Sequence, residues 1–238
     1  MLTPIEIAET NIKTGATKAD LPIRKLIPYS ILAGMFIALA GVGATIGTIY
    51  GGKLIGALIF PIGLIMVVIA GSQLFTGNNL MIMPWIKGET TLRKLLRNWL
   101  FVYLGNFIGA LLVTVLVVYS GIFDNISESV ITTAVTKNNL GFFEALARGI
   151  LCNFLVCIAI WMSLSTEKTS GKILAIFGPI FLFVLCGFEH SIAIMFYGPA
   201  GIFVSLKNGL SAECVGWSYR KRSPFGCGLL TIDASQTG

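Results

Sequence analysis

The sequence predicts an all-α polytopic membrane protein, and two observations support this fold class. Hydrophobic residues make up 55% and charged residues only 12% of the 238 residues, with a mean hydropathy of +0.84. Soluble globular domains do not have this composition. Charge-free or nearly charge-free stretches also recur, each near or above the roughly 20 residues that a spanning helix needs. They cover residues 27–50, 55–86, 98–122, 149–166 and 173–206.

The basic residues predict the orientation in the membrane. With a cytoplasmic N-terminus, ten of them lie on the cytoplasmic side and four on the outer side, which is the positive-inside pattern. The net charge of +6 therefore reflects topology rather than a nucleic acid partner, and we expect a multi-pass protein of the cell membrane. The inner set is Lys13, Lys18, Arg24, Lys25, Lys87, Arg93, Lys94, Arg97, Lys168 and Lys172, and the outer set is Lys53, Lys137, Arg148 and Lys207.

The chain divides into three regions. Residues 1–26 are polar and begin with Thr3-Pro4-Ile5-Glu6, a capping box with proline at the first helical position. They predict a short amphipathic cytoplasmic helix, which lies either on the membrane surface or against a neighbouring subunit. Residues 27–206 form the transmembrane domain with five recognisable spans, and residues 207–238 form an atypical polar tail. The expected apolar face of the N-terminal helix consists of Ile5, Ala8 and Ile12.

Two of the charge-free stretches are too long for a single crossing. Extended to their flanking lysines, the second and the fifth stretch have 33 and 34 residues. Helices of that length would measure about 50 Å, whereas the hydrocarbon core of a bilayer is about 30 Å thick. Each stretch must break, and polar residues place the breaks at 71–79 and 187–191. The second break contains Glu189 and His190, the only histidine, and ionisable groups at membrane depth indicate a functional site.

The two halves of the chain resemble each other. Residues 30–40 and 149–159 open the two halves with similar sequences, and each half then contains one over-long run with an early proline and a polar break. Three spans per half would place the halves in opposite orientations, as in the inverted repeats of many transporters. Broken backbone at membrane depth must face protein or a water-filled cavity. We therefore expect the two breaks to face each other across a pore.

The second half lacks a third span. The first half ends with the stretch 98–122, in which Gly105 and Gly109 allow close helix approach. In residues 208–238 the longest charge-free stretch, 223–232, has only ten residues, which is too short to cross a bilayer. We interpret the sixth transmembrane helix as missing or replaced. An altered reading frame or a truncated gene is our hypothesis for the tail, and sequencing the locus would test it.

Three motifs, taken together, resemble the formate–nitrite transporter family. They are Leu74-Phe75-Thr76-Gly77-Asn78, Gly105-Asn106 and Phe188-Glu189-His190-Ser191-Ile192-Ala193, and the resemblance covers about residues 3–206. It implies an aquaporin-like six-helix protomer with an inverted repeat and two broken helices. It also implies a homopentamer with one pore per subunit and passage of small monovalent anions such as formate, nitrite, hydrosulfide, acetate or lactate.

The resemblance also implies roles for individual residues. His190 is similar to the central pore histidine of the family, and Thr76 to the threonine on the opposing broken helix that can hydrogen-bond to it. Lys137 is similar to a lysine near the vestibule that attracts anions, and Asn153 to a polar residue near that lysine. The two apolar constrictions of the family correspond to Leu64 with Phe75 and to Val156 with Phe183.

Several of these side chains also have a purely structural interpretation. Thr76 can bond a backbone carbonyl freed by the break, Lys137 can be a solvated lysine of an outer loop, and Asn153 can join two helices. We expect Glu189 to hold the broken helices by accepting hydrogen bonds from backbone N–H groups, because a carboxylate would repel an anion. The family usually has asparagine where this chain has Ile194, which removes a polar group one turn from the histidine.

We expect a channel or transporter for a small monovalent weak-acid anion, formate first, with nitrite or hydrosulfide next. A central histidine could supply a hydrogen bond or a proton as the anion passes an apolar constriction. The alternative is a truncated or frameshifted family member that does not transport on its own. One histidine, no carboxylate cluster and five cysteines without metal-ligand spacing do not favour an enzyme, a cofactor or a metal site.

Overall fold

The computed structural model describes residues 2–210, and most of these residues are helical. No β-strand occurs within this range, and short loops or 3-10 turns join the helices. The expected polar tail at 207–238 lies outside the described residues from position 211 onward. The α-helices are α1 (Pro4–Ala19), α2 (Ile23–Ile59), α3 (Pro61–Ile69), α4 (Phe75–Asn78), α5 (Ile82–Ile86), α6 (Leu92–Tyr119), α7 (Ser127–Asn138), α8 (Phe142–Ser163), α9 (Thr169–Cys186) and α10 (Ser191–Lys207).

Four long apolar segments in the described part of the chain can cross a membrane. Three of them are α6, α8 and α9, and the fourth is the stretch Ile23–Ile69, which contains α2 and α3. Helix α2 bends at Gly52, whose φ of 80° lies in the left-handed region that favours glycine. Helix α10 is also apolar but has only 17 residues. The predicted all-helical membrane fold class is therefore confirmed.

Helix α1 begins as predicted but buries a different face. Thr3 Oγ1 accepts a hydrogen bond from Glu6 N, and the Glu6 carboxylate accepts one from Thr3 N at 2.7 Å, which completes the capping box. The predicted apolar face is not the one buried within the protomer, since Ile5 is 73% exposed, and its contact with the membrane or a neighbouring subunit stays a prediction. The buried face carries small and amide side chains that let α1 approach the segment before α6 closely. This face consists of Ile7, Asn11, Gly15 and Ala19.

Helices α2 and α6 pack closely through glycines. A Cβ on Gly34 of α2 would overlap the backbone of Asn106, and a Cβ on Gly109 of α6 would overlap the carbonyl of Ile31. The predicted close approach through Gly105 and Gly109 is therefore present, and its partner helix is α2. This packing places Asn106, which is fully buried, beside the first break.

Polar contacts between helix ends follow the predicted sides of the membrane. Arg97 donates hydrogen bonds to the carbonyls of Ala19 and Leu21, both at 2.8 Å, so that the start of α6 holds the end of α1. Lys207 at the end of α10 pairs with Asp124 after α6. In the part of the chain that the structure describes, these contacts join residues of the same predicted side.

We expect the stability of the protein to depend on pH through Lys18, because burial lowers the pKa of its ammonium group from 10.5 to about 8. The unfolded chain then holds this proton more tightly than the folded protein between pH 8 and 10.5, so stability should rise with pH across that window and stay level below it. We expect the thermal midpoint of the wild type to rise relative to Lys18→Met from pH 8 to 10.5. Lys13→Met, which removes an exposed lysine of the same helix, should not change the pH profile.

Candidate functional site

The two over-long runs break with the same local geometry. Gly71 and Gly187 adopt left-handed φ angles of 68° and 76°, which release the chain from the preceding helix. Three residues later, Leu74 (φ −106°, ψ 128°) and His190 (φ −96°, ψ 118°) are extended and precede a new helix. The breaks therefore lie where the polar residues of the sequence predict them, and they bring the start of α4 and the start of α10 into the interior.

The structure joins the two breaks through one side-chain contact. His190 Nε2 lies 3.1 Å from Thr76 Oγ1, and both residues are buried. The other ring nitrogen, Nδ1, accepts a hydrogen bond from Ala193 N at 3.2 Å and caps α10. Since an accepting Nδ1 carries no proton, the proton of the neutral ring is on Nε2. His190 therefore donates to Thr76, and the hydroxyl proton of Thr76 remains available to a third group.

Aromatic rings enclose the histidine. The ring of Phe183 stacks on His190 with centroids 5.8 Å apart and an interplanar angle of 14°. The ring of Phe60 meets His190 edge-on at 6.4 Å. Sequence reasoning proposed Phe183 by resemblance and missed Phe60, because an aromatic residue in an apolar run carries no signal beyond core packing. The histidine thus lies between apolar walls, with Thr76 as its polar neighbour.

The four proposed constriction residues belong to one continuous apolar cluster. Leu64, Val156 and Phe183 are buried in it, and half-buried Phe75 packs against it. Phe75 also contacts the ring of Tyr103, with centroids 5.1 Å apart. The structure places all four around the breaks, and their role as constrictions stays a prediction.

Asn106 satisfies the backbone of the first break. Its Oδ1 accepts a hydrogen bond from Phe75 N at 2.9 Å, and its Nδ2 donates to the carbonyls of Ser30 at 2.7 Å and Gln73 at 2.9 Å. One fully buried amide from α6 thus holds α2 and both sides of the break. The motif Gly105-Asn106 was visible in the sequence, but this role required the position of α6.

A second amide network ties the first break to the N-terminal helix. Asn78 Nδ2 donates to Gln73 Oε1 at 3.0 Å and to Asn98 Oδ1 at 2.9 Å. Asn78 Oδ1 accepts from Lys18 Nζ at 3.0 Å, and Asn98 Nδ2 donates to the Lys18 carbonyl at 3.2 Å. Lys18 is therefore held at both its backbone and its ammonium group, and α1 is bonded to the helix that carries Thr76.

Glu189 and Lys137 form an ion pair beside the second break. Lys137 Nζ lies 3.0 Å from Oε1 and 2.8 Å from Oε2 of Glu189, which is 7% exposed. The same ammonium lies 5.0 Å from the ring centroid of Tyr197. Lys137 belongs to the last turn of α7 rather than to a loop, and it is not a lone solvated lysine. Glu189 is therefore paired with this lysine, whereas the sequence led us to expect that it accepts hydrogen bonds from backbone N–H groups.

Asn153 is bonded to the segment after the first break rather than to this ion pair. Its Oδ1 accepts from Asn79 Nδ2 at 3.0 Å, so it joins α8 to the segment after α4. It also lines a cavity of about 630 Å³ that reaches Thr76, His190 and Glu189. The cavity gives a small ligand access to the hydroxyl and imidazole groups. Among the described residues, no cluster of histidine, cysteine and acidic side chains could hold a metal ion.

Breaking the ion pair should destabilise the protein. Lys137→Met leaves the buried Glu189 carboxylate without its cation, and we expect a loss of about 3 kcal/mol in unfolding free energy. Lys137→Met combined with Glu189→Gln should recover most of that loss, because no uncompensated charge remains. Lys207→Met, which removes the more exposed pair with Asp124, should cost about 1 kcal/mol or less. Thermal unfolding in detergent measures all three, and equal midpoints for the single and double variants would contradict the prediction.

Comparisons with known proteins agree on one family. A family model described as formate/nitrite transporter matches residues 5–221. The chain is 39% identical over 215 residues to the formate channel FocA of Haemophilus influenzae, covering 86% of this chain and 76% of that protein. FocA of Escherichia coli K12 is also 39% identical over 215 residues, covering 86% and 75%.

Two solved structures have the same fold. An FNT family ion channel matches with a TM-score of 0.80 and 26% identity, covering 90% of each chain. A pentameric formate channel with formate bound matches with a TM-score of 0.69 and 30% identity, covering 80% of this chain and 82% of that chain.

Proposed function

This chain belongs to the formate/nitrite transporter family, a family of membrane transporters and not of enzymes, and we propose that it passes small monovalent weak-acid anions, formate above all, through a pore at His190 and Thr76. The observation that carries this proposal is the 3.1 Å contact between the two side chains where the broken helices meet. Formate is the first candidate because it is named in the relatives and is bound in one solved structure. Nitrite and hydrosulfide are the next candidates.

The pore chemistry follows from the cost of dehydrating an anion. Moving a carboxylate from water into an apolar environment without hydrogen-bond donors costs several kcal/mol or more. Phe183, Phe60, Val156 and Leu64 provide such apolar surroundings, and the Thr76 hydroxyl is positioned to donate to an anion while accepting from His190 Nε2. This arrangement would replace part of the lost hydration of the anion. The residues act as a hydrogen-bond relay rather than as a fixed charge.

Proton transfer to the anion would require His190 to change its protonation state. A neutral imidazole that gives up its Nε2 proton would become an anion, so a proton donor must first be imidazolium. Protonation at Nδ1 would break the hydrogen bond from Ala193 N that caps α10. Channel-like passage with hydrogen bonds therefore needs no rearrangement, whereas proton-coupled passage requires the start of α10 to loosen.

Lys137 remains the residue that we propose to attract anions at the pore entrance. Its pairing with Glu189 at 2.8 Å cancels most of its field at longer range. Its effect is therefore local, and Asn153 and Asn79 provide further polar groups along the cavity. We assign Glu189 to positioning Lys137 rather than to contact with substrate.

The assembly that we propose is a homopentamer of aquaporin-like protomers, each with an inverted repeat and its own pore, with the N-terminus in the cytoplasm. The solved pentameric relative and the distribution of basic residues support it. Large apolar side chains on the outer face of α6, such as Leu116 at 66% exposure, suit lipid or a neighbouring subunit. Residues 1–26 and 27–206 would form the cytoplasmic helix and the channel domain.

The second candidate is a family member that does not transport on its own. The open face of α8 favours it, since Ile150 and Phe154 are each 61% exposed beside the cavity at His190. A pore open to lipid on that side would not conduct ions selectively. The mass of the complex in mild detergent and flux in vesicles separate the two candidates.

Replacing His190 should alter flux through the hydrogen-bond relay. His190→Phe removes the donor to Thr76 and the cap of α10, and we expect formate uptake into proteoliposomes to fall at least about tenfold. His190→Asn keeps a side-chain acceptor that suits an N-cap and an amide donor, so it should retain more flux than His190→Phe. Unchanged uptake in both variants would contradict a central role for His190.

Substrate choice can be tested on the same preparation. We expect pentamers by native mass spectrometry and uptake of formate ahead of nitrite and hydrosulfide, with less uptake of chloride, the anion of a strong acid. Thr76→Val should lower formate uptake, because a methyl group replaces the hydroxyl that faces the anion, whereas Thr45→Val, at a hydroxyl bonded within α2, should leave uptake unchanged. Pentamers without any flux would favour the non-transporting alternative.

A further inference from the structure

Basic side chains from three different helices meet at the turn of the second break. Lys137 Nζ of α7 contacts the Glu189 carboxylate, and Arg148 Nη1 of α8 lies 3.4 Å from the Gly187 carbonyl. Lys53, which directly follows the bend of α2, places its Nζ 3.8 Å from the position that a Cβ on Gly187 would occupy. These cations therefore lie at one mouth of the proposed pore, beside the turn that leads to its histidine.

Two of these three cations are paired with a carboxylate, as is the lysine at the end of α10. The N–O distances in the three pairs are 2.5 to 2.8 Å. Since the opposite charges of a pair nearly cancel at distances much larger than their separation, each pair acts on an anion only at short range. The pairs are Lys137 with Glu189, Arg148 with Glu144, and Lys207 with Asp124.

Lys53 differs from these cations, because none of the four ion pairs within residues 2–210 includes it. Its side chain is exposed, so its charge faces water. Glu128, the remaining acidic residue of this predicted side, lies nine residues before Lys137 in α7, or about 13 Å along the helix. That distance exceeds the screening length of about 8 Å at physiological salt. The unbalanced charge next to the break is therefore that of Lys53.

We propose that Lys53 captures small anions from bulk water at this mouth, whereas Lys137 acts on them only after they have entered. The inference rests on the proposed anion pathway through His190 and adds a residue to which the family resemblance assigns no role. An unpaired charge at an entrance raises the local concentration of oppositely charged ions and their rate of entry, and salt weakens this effect. Lys53 thus favours monovalent anions as a class, and the choice among them depends on residues deeper in the site.

The field of Lys53 can be measured without any flux. Cys186 is exposed and directly precedes Gly187, so its thiol reports the potential beside the break. Its rates of reaction with an anionic and a cationic methanethiosulfonate reagent are compared in the full chain in mild detergent, with the modified Cys186 peptide quantified by mass spectrometry. We expect Lys53→Gln to lower the ratio of anionic to cationic rates about fivefold, because the lost charge acts with opposite sign on the two reagents. Lys53→Arg should keep the wild-type ratio.

Two variants provide matched controls for the charge change. Lys25→Gln removes an exposed lysine from the other end of α2, roughly 40 Å away along the helix and several screening lengths distant. Glu144→Gln combined with Arg148→Gln removes a complete ion pair without changing the net charge. Both should change the rate ratio less than about twofold, and melting temperatures verify that each variant is folded. A ratio for Lys53→Gln equal to that for Lys25→Gln would overturn the proposal.

Uptake measurements connect this field to transport. In proteoliposomes with the Lys53 mouth outward and an ionic strength of about 0.01 M, Lys53→Gln should raise the KM for formate at least about threefold and change the maximal rate less than about twofold. At about 1 M of an impermeant salt, where the screening length is about 3 Å, the two KM values should converge. A lower maximal rate with an unchanged KM would overturn the capture role in favour of a structural one. Absence of uptake by the wild type would contradict the proposed function itself, whereas wild-type uptake with equal KM values at low salt would contradict only this inference.

Discussion

The structure depends on satisfying backbone that leaves its helix inside a membrane. Water is absent from the hydrocarbon core, so every N–H and C=O freed by a break needs a partner from another helix. Asn106 provides two such hydrogen bonds at the first break and a third to the Ser30 carbonyl of α2, and it can do so because glycines let α6 approach α2 closely. Thr76 lies one residue after the bonded Phe75, so its position next to the histidine follows from this amide.

The second break uses a different solution, in which the histidine that we propose for the pore also has a structural role. His190 Nδ1 caps α10 and its Nε2 faces Thr76, so the two ring nitrogens have different hydrogen-bonding roles. This division keeps the ring neutral and oriented while its donor points to the cavity. The ion pair of Lys137 and Glu189 anchors the same segment from α7. Any change of protonation at the pore is therefore coupled to the start of a helix.

The sequence predicted much of this arrangement, and its errors have physical reasons. Run lengths and charge spacing identified the membrane class and both breaks, and the family resemblance implied that His190 and Thr76 oppose each other. The face that α1 buries in the protomer was not predicted, because its tightest contacts use Gly15 and Asn11 rather than large apolar side chains. Lys137 was placed in a loop, because the polar segment 127–138 has no strong helical periodicity of apolar residues. Phe60 was not predicted, because in an apolar run the sequence does not distinguish a phenylalanine that contacts the histidine from one that packs elsewhere.

By itself, the sequence determined those properties that depend on local composition and length. The bilayer thickness limits each crossing, so an over-long run with a polar interruption must break, and motifs at both breaks identify the formate/nitrite transporter family. Only the tertiary structure decided which groups satisfy the breaks, which nitrogen of His190 faces Thr76, and that within residues 2–210 one face of α8 is exposed beside it. Those features arise from contacts between residues far apart in the chain, and no local pattern encodes the geometry of such contacts.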